Sequence, residues 1–360
     1  MRPIGVPTLA LAIVPRALRE AVARIRAHHA LWMACALIPC AGWSQTPCPP
    51  PLNAGPAEMQ RLAHTTQPDR GFLWEVTRDG RRSYLYGTVH VARLAWDFPG
   101  PVVRKALLDS RVLAVELDPT DPHLLARLTA AQGVAAPSNE AADPARSAAI
   151  EAGFAREFTR ACVDAARLQY MAANMKLAAL TALSARDRGL YPQTSIDTAL
   201  VGFMRATGKR VLELETPEEQ GRALKQSDGG GSASVERALA RLDSGETRRE
   251  LLKLTHTWAV SDATALHAYT SSPGYLSDRA ARAAVFADRD RLLAQRIDDT
   301  FQKEDGVFAA IGMLHTTNDG NVVERLQHMG YTVRALVPAV EVPAEVQETA
   351  PPQEDPQAAR

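Results

Sequence analysis

The 360 residues hold only four cysteines, and none forms a Cys-x-x-Cys pair. That excludes zinc-ribbon sites and a thioredoxin-like redox motif. Aromatic residues make up 6%, too few for a base-stacking nucleic-acid module. Lys+Arg and Asp+Glu each number 41, so no basic excess marks a nucleic-acid or anionic-membrane partner. The chain has no His-Glu-x-x-His, no Walker loop and no Gly-x-Gly-x-x-Gly, which leaves zincin, P-loop and dinucleotide chemistry without support. What it does have is a hydrophobic fraction of 46% and a charged fraction of 23%, ordinary values for a chain that buries a core.

Residues 30 to 39, ALWMACALIP, follow a stretch bearing Arg16, Arg19, Arg24 and Arg26 and precede the small residues Ala41, Gly42 and Ser44. A basic flank, an apolar core of about ten residues and a small-residue exit predict a secretory signal peptide, too short for the ~20 residues of a membrane span. We therefore expect a periplasmic or secreted protein with a leader over 1–44 and no stable membrane span once it is removed. A second apolar patch at residues 8–15 suggests a start assigned too far upstream. The leader takes five arginines and one glutamate with it, leaving 36 basic and 40 acidic residues and a net charge of about −4. Nucleic acid is excluded more firmly still. Cys48 and Cys162 remain, and in an oxidising compartment an even pair is expected to form a disulfide, with two free thiols as the alternative.

A Pro-rich arm over 45–70 leads into FLWEVTR and SYLYGTVH, separated by Asp79-Gly80, which reads as a β-hairpin. A helix from Pro99 and the strand VLAVELD, Val112 to Asp118, follow. An Ala-rich helical stretch from about Pro122 to Gly189 reads as a large insertion. SIDTALVGFMRATG is an amphipathic helix stopped by Gly208, and KRVLELE is a further strand on which Glu213 and Glu215 face the same side. SDGGGSAS at 227–234 is a loop, and more helices run to about Asp305. VFAAIGMLH, NVVERLQHMG and YTVRALVP then read as strand, helix and strand. The expected class is α/β: a mixed sheet with flanking helices and a large inserted helical region over 71–341, followed by a disordered tail over 342–360.

One short pattern occurs twice. Gly87-Thr88-Val89-His90 and Gly312-Met313-Leu314-His315 each close an apolar strand. Ligands of open α/β sheets collect at the carboxyl ends of strands, and a glycine there lets backbone or ligand approach closely. Glu116 sits at the corresponding end of VLAVELD, with Asp118 as its competitor. Two imidazoles and a carboxylate from three strand ends are a credible ligand set for a divalent metal, Mn, Co or Zn, with open positions for hydrolysis. Either histidine alone reads more readily as a structural residue.

FLWEVTRDGRRSYLYGTVH, AVELD, LELETPEEQ, ADRDRLLAQRI and FAAIGMLHTTNDGNVVERLQHMGYTV together resemble the TraB/GumN family, which is similar to Tiki-type metalloproteases. The resemblance covers roughly 71–336. It implies an α/β fold with a helical insertion and a metal-dependent hydrolase site in which His90, Glu116 and His315 hold the metal. Gly87, Asp197 and Gly312 then support these ligands. Asp197 matches the family's Gly-x-Asp segment, whose glycine is Ser195 here. The Leu-Glu-Thr motif falls on Leu214, Glu215 and Thr216. Arg289 is kept from the family's Arg-Asn pair, whose amide is Asp290 in this chain. Glu215 and Arg289 are the candidate catalytic groups, Glu215 as metal ligand, general base or support for a histidine, and Arg289 as an electrophilic partner. Arg289 has a plainer role open to it, an ion pair, and Glu219 in the following helix reads as part of a capping box.

The expected function is an exported metal-dependent hydrolase using metal-activated water on a peptide or protein substrate. The alternative is a non-catalytic periplasmic binding protein or scaffold for envelope polysaccharide or haem.

Overall fold

Asp79 (φ 52°) and Gly80 (φ 75°) both take the left-handed conformation that a two-residue hairpin demands. They join β1 (Phe72–Arg78) to β2 (Arg81–Thr88), paired antiparallel from Phe72 opposite Gly87 to Arg78 opposite Arg81. The computed structural model of the protein describes residues 48–52, 54–131, 143–168, 171–227, 231–272, 286–317 and 320–337. The leader, the centre of the 227–234 loop and the 342–360 tail lie outside the described residues.

Within the Pro-rich arm a short helix forms, α1 (Pro56–His64), with proline in its first turn, where its missing N–H costs nothing. After the hairpin come α2 (Pro101–Asp109), β3 (Val112–Val115) and α3 (Leu124–Ala131). The inserted region supplies α4 (Pro144–Arg160) and α5 (Ala173–Leu183). Next are α6 (Ile196–Ala206), β4 (Arg210–Glu213), α7 (Pro217–Ser227), α8 (Ser232–Asp243), α9 (Glu246–Ala259) and α10 (Ala263–Thr270). The chain closes with α11 (Asp288–Lys303), β5 (Val307–Gly312), α12 (Val322–His328) and β6 (Thr332–Ala335). None of the helices among the described residues is long and apolar enough to cross a membrane.

The six strands lie in the order β4-β3-β5-β2-β1-β6. β4, β3, β5 and β2 are mutually parallel, and β1 pairs antiparallel with both β2 and β6, so the fold is α/β with a mixed sheet. Alternation along each strand splits the core in two. Leu113, Val115, Phe308 and Ala310 face α2 and α6 on one side, with Trp258. Val112, Ala114, Val307, Ala309 and Ile311 face α11 and α12 on the other. A third cluster, Phe154 and Phe158 of α4, Leu177 and Leu180 of α5, and Leu239 and Leu242 of α8, makes the helical insertion a core of its own. Cys48 and Cys162 are joined by a disulfide with their Cα atoms 5.8 Å apart. Closing a segment of that length stabilises the fold by about 4 to 5 kcal/mol in the chain-entropy model.

Candidate metal centre

β5 lies between β3 and β2, with Thr88 opposite Gly312 and Val115 opposite Ala310, so the two Gly-x-x-His segments leave neighbouring parallel strands. His90 stands two residues beyond β2. His315 is on a single 3-10 turn, Met313–Thr316, that follows β5 directly, where the sequence pattern predicted continued strand. Glu116 follows β3, and the chain turns after Glu213 rather than extending through Glu215. Three strand ends thus deliver His90, Glu116 and His315 to one place.

Each imidazole is held by a carboxylate on its Nδ1. His90 Nδ1 lies 3.0 Å from Asp197 Oδ2, and Thr88 Oγ1 donates to Asp197 Oδ1 at 2.8 Å. His315 Nδ1 lies 2.5 Å from Asp290 Oδ1. An ionised carboxylate only accepts, so each Nδ1–H donates to its aspartate and each Nε2 is turned away from that bond. This is the arrangement that fixes tautomer and ring direction in metal-binding histidines. Ser195, in place of the glycine of the resembling family, caps α6 by accepting from the Thr198 amide, and so sets Asp197 in the first turn. Asp290 is fully buried at 0% exposure, and its Oδ2 has no hydrogen-bond partner among the described residues. Sequence reasoning missed Asp290. Its one available signal was its position beside Arg289.

Glu116 is the most constrained group. Gly312 N donates to its Oε1 at 2.7 Å, and Arg289 Nη2 donates to its Oε2 at 3.1 Å. Its Oε1 stands 3.9 Å from His315 Nε2. Burial works against its charge, but Arg289, His315 and His90 outweigh that and hold its carboxyl below the usual range. Arg289 also takes Glu215 in a fork, Nε to Oε1 at 2.8 Å and Nη2 to Oε2 at 2.6 Å. Burial opposes its charge as well, and the two glutamates raise its pKa. Glu215 therefore reaches the histidines only through Arg289 and Glu116. The charge of Asp197 and its hydrogen bond raise the pKa of the His90 ring. His90 is the accessible member, with 70% of its side chain exposed, whereas His315 and Glu116 are buried.

Gly87 and Gly312 are glycines for different reasons. A Cβ at Gly87 would press on the Met313 backbone at 3.2 Å, so that glycine lets β2 approach the turn carrying His315. A Cβ at Gly312 would lie 3.4 Å from Glu116 Oε1, 3.7 Å from His315 Cδ2 and 3.8 Å from His90 Nε2. The backbone there (φ −53°, ψ 133°) suits any residue. What Gly312 keeps open is therefore a cradle between the three candidate ligands.

Among the described residues, no three His, Cys, Asp or Glu side chains already stand as a closed metal-ligand set. Two ligands of one ion, each about 2.1 Å away in tetrahedral array, are about 3.4 Å apart. The 3.9 Å between His315 Nε2 and Glu116 Oε1 exceeds that by a side-chain adjustment. The donor chemistry, the two oriented imidazoles and the cradle fit a divalent ion.

The other acids near the site are committed elsewhere. Asp118 accepts from Thr120 and pairs with Arg205. Thr216 and Glu219 form a capping box, Thr216 N to Glu219 Oε2 at 2.8 Å and Glu219 N to Thr216 Oγ1 at 3.2 Å, with Arg296 forked onto Glu219.

Metalloprotease TIKI1 of Homo sapiens is 42% identical to this chain over 62 residues, which are 17% of this chain and 12% of the relative. Metalloprotease TIKI1 of Danio rerio is 40% identical over 78 residues, 21% of this chain and 16% of the relative. The matched part thus spans less than a fifth of these curated relatives. No solved structure matches the chain. The model of the TraB/PrgY/gumN family matches residues 72–335, from the first residue of β1 to the last of β6 and across both Gly-x-x-His segments, and the chain belongs to that family.

Proposed function

We propose that the protein is an exported metal-dependent hydrolase of peptide bonds, with His90, His315 and Glu116 as the metal ligands. The observation that carries this reading is the convergence of two histidines, each fixed through Nδ1 by a carboxylate, with Glu116 around the side-chain-free Gly312. A divalent cation bound there supplies Lewis-acid activation for acyl-bond hydrolysis. The protein's own groups do the rest. Asp197 and Asp290 orient the imidazoles, Glu116 brings negative charge, and the Glu215–Arg289 pair holds Glu116 in place. The exposed edge of His90 supports approach of a substrate from that side. Similarity to proteins named metalloproteases supports a peptide or protein substrate. Export is supported by the leader-like first 44 residues and by a disulfide, which persists in oxidising compartments.

Metal analysis after dialysis against Mn, Co or Zn tests the reading. Wild-type protein is expected to retain about one equivalent, and His90→Ala with His315→Ala to retain none. Equal, near-zero metal in both proteins refutes it.

A further inference from the structure

We infer that Tyr191, held by the disulfide-anchored N-terminal arm, is a positioning residue for the His90–Asp197 pair. This rests on the proposed metal site and adds a redox-sensitive support to it.

Three links close a ring beside the site. The disulfide joins Cys48 to Cys162 just beyond the end of α4. The Arg186 guanidinium donates to Ala161 O, the residue next to Cys162. The Tyr191 hydroxyl donates to Pro50 O at 3.0 Å, two residues from Cys48. The segment 186–191 is thereby tied at one end to α4 and at the other to the arm.

That segment in turn sets the site. Tyr191 and Ala92 exchange both backbone hydrogen bonds, Tyr191 N to Ala92 O at 2.9 Å and Ala92 N to Tyr191 O at 3.2 Å. Thr194 Oγ1 donates to the same Ala92 carbonyl at 2.6 Å, and Ile196 N donates to Val89 O at 3.1 Å. These bonds clamp the backbone on both sides of His90 to the residues leading into Asp197. His90 has an exposed side chain and, among the described residues, only Asp197 as a hydrogen-bond partner, so its placement depends on this backbone clamp. Cys48 and Cys162 are both exposed, so a thiol reductant reaches the bond directly.

The test compares oxidised wild type, Cys48→Ser/Cys162→Ser and Tyr191→Phe by amide hydrogen exchange and by cobalt(II) titration followed in visible absorption. The Ala92, Tyr191 and Ile196 amides are expected to exchange roughly tenfold faster in both variants, with the β5 amides unchanged. Cobalt affinity is expected to fall about tenfold, as for loss of a group that orients a ligand, with an altered absorption band. Tyr191→Phe keeps the ring and the disulfide, so it answers even where the cysteine variant folds poorly. Unchanged exchange at the three amides in Tyr191→Phe overturns the inference, as does a uniform rise across the sheet. Absence of cobalt binding in wild type refutes the proposed metal site, while the exchange comparison still decides the clamp.

Discussion

Substituting Gly312 by alanine separates stability from metal binding. The backbone at Gly312, φ −53° and ψ 133°, accepts alanine, and the nearest atom to the new Cβ is Glu116 Oε1 at 3.4 Å, an ordinary van der Waals contact. At such a site the lost freedom of the unfolded chain stabilises the protein by about 0.4 to 1 kcal/mol. For a domain of this size that raises Tm by about 1 to 4 °C. The same methyl stands within 3.8 Å of His90 Nε2 and 3.7 Å of the His315 ring, in the space a shared ion needs. Displacing either ligand from a distance of about 2.1 Å removes a coordinate bond, so affinity is expected to drop at least about 100-fold, roughly 2.7 kcal/mol. Calorimetric titration with Mn, Co or Zn and a thermal melt of the same metal-free samples give both numbers. Wild-type metal affinity in Gly312→Ala would show that the cradle is not where the ion goes, and the reasoning would fail.

Two further substitutions probe the supporting carboxylates. Asp290→Asn keeps an acceptor for His315 Nδ1 and replaces the unpartnered Oδ2, so metal affinity is expected within a few-fold of wild type, whereas Asp290→Ala loses about 10- to 100-fold; an Asn variant as weak as the Ala variant contradicts the orienting role. Glu219 is bound by Arg296 and capped by the Thr216 amide, which bring its pKa down to about 2 from 4.5. Because the folded pKa is the lower one, this stability is present above about pH 4.5 and lost as pH falls toward 2. After discounting for its partial exposure, Glu219→Gln is expected to cost about 1 to 2 kcal/mol at pH 7 and nothing near pH 2. Urea unfolding at both pH values checks this, and an equal loss at both would exclude an ion-pair origin.

The layers of the fold were readable because each strand carries a period of two and each helix its own boundary signals. Asp79-Gly80, the proline of α2 and Gly208 marked ends that the structure keeps close to where the pattern put them. The sequence also put His90, Glu116 and His315 at strand ends, though it could not tell the 3-10 turn under His315 from further strand, since four apolar-rich residues suit either. Glu213 and Glu215 read as equivalent by alternation. They part because the chain turns after β4, sending Glu215 inward to Arg289 and leaving Glu213 to accept from the Asp118 amide. Asp290 was hidden for another reason. Neighbours on a helix point about 100° apart, so nothing local says that Arg289 and Asp290 reach opposite sides of the same site.

The place of β5 has a consequence for when the site comes into being. Its two partners, β2 and β3, are made more than 190 residues before it, yet they are not paired with each other and flank the gap that β5 fills. A growing chain can form the β1–β2 hairpin and pair β3 with β4, but it holds two half-sheets until residue 312 has been added. His90 and Glu116 belong to different halves, and His315 follows β5 itself. The three candidate ligands therefore come together only when β5 enters between the two half-sheets, and β6 then adds the outer edge of the sheet.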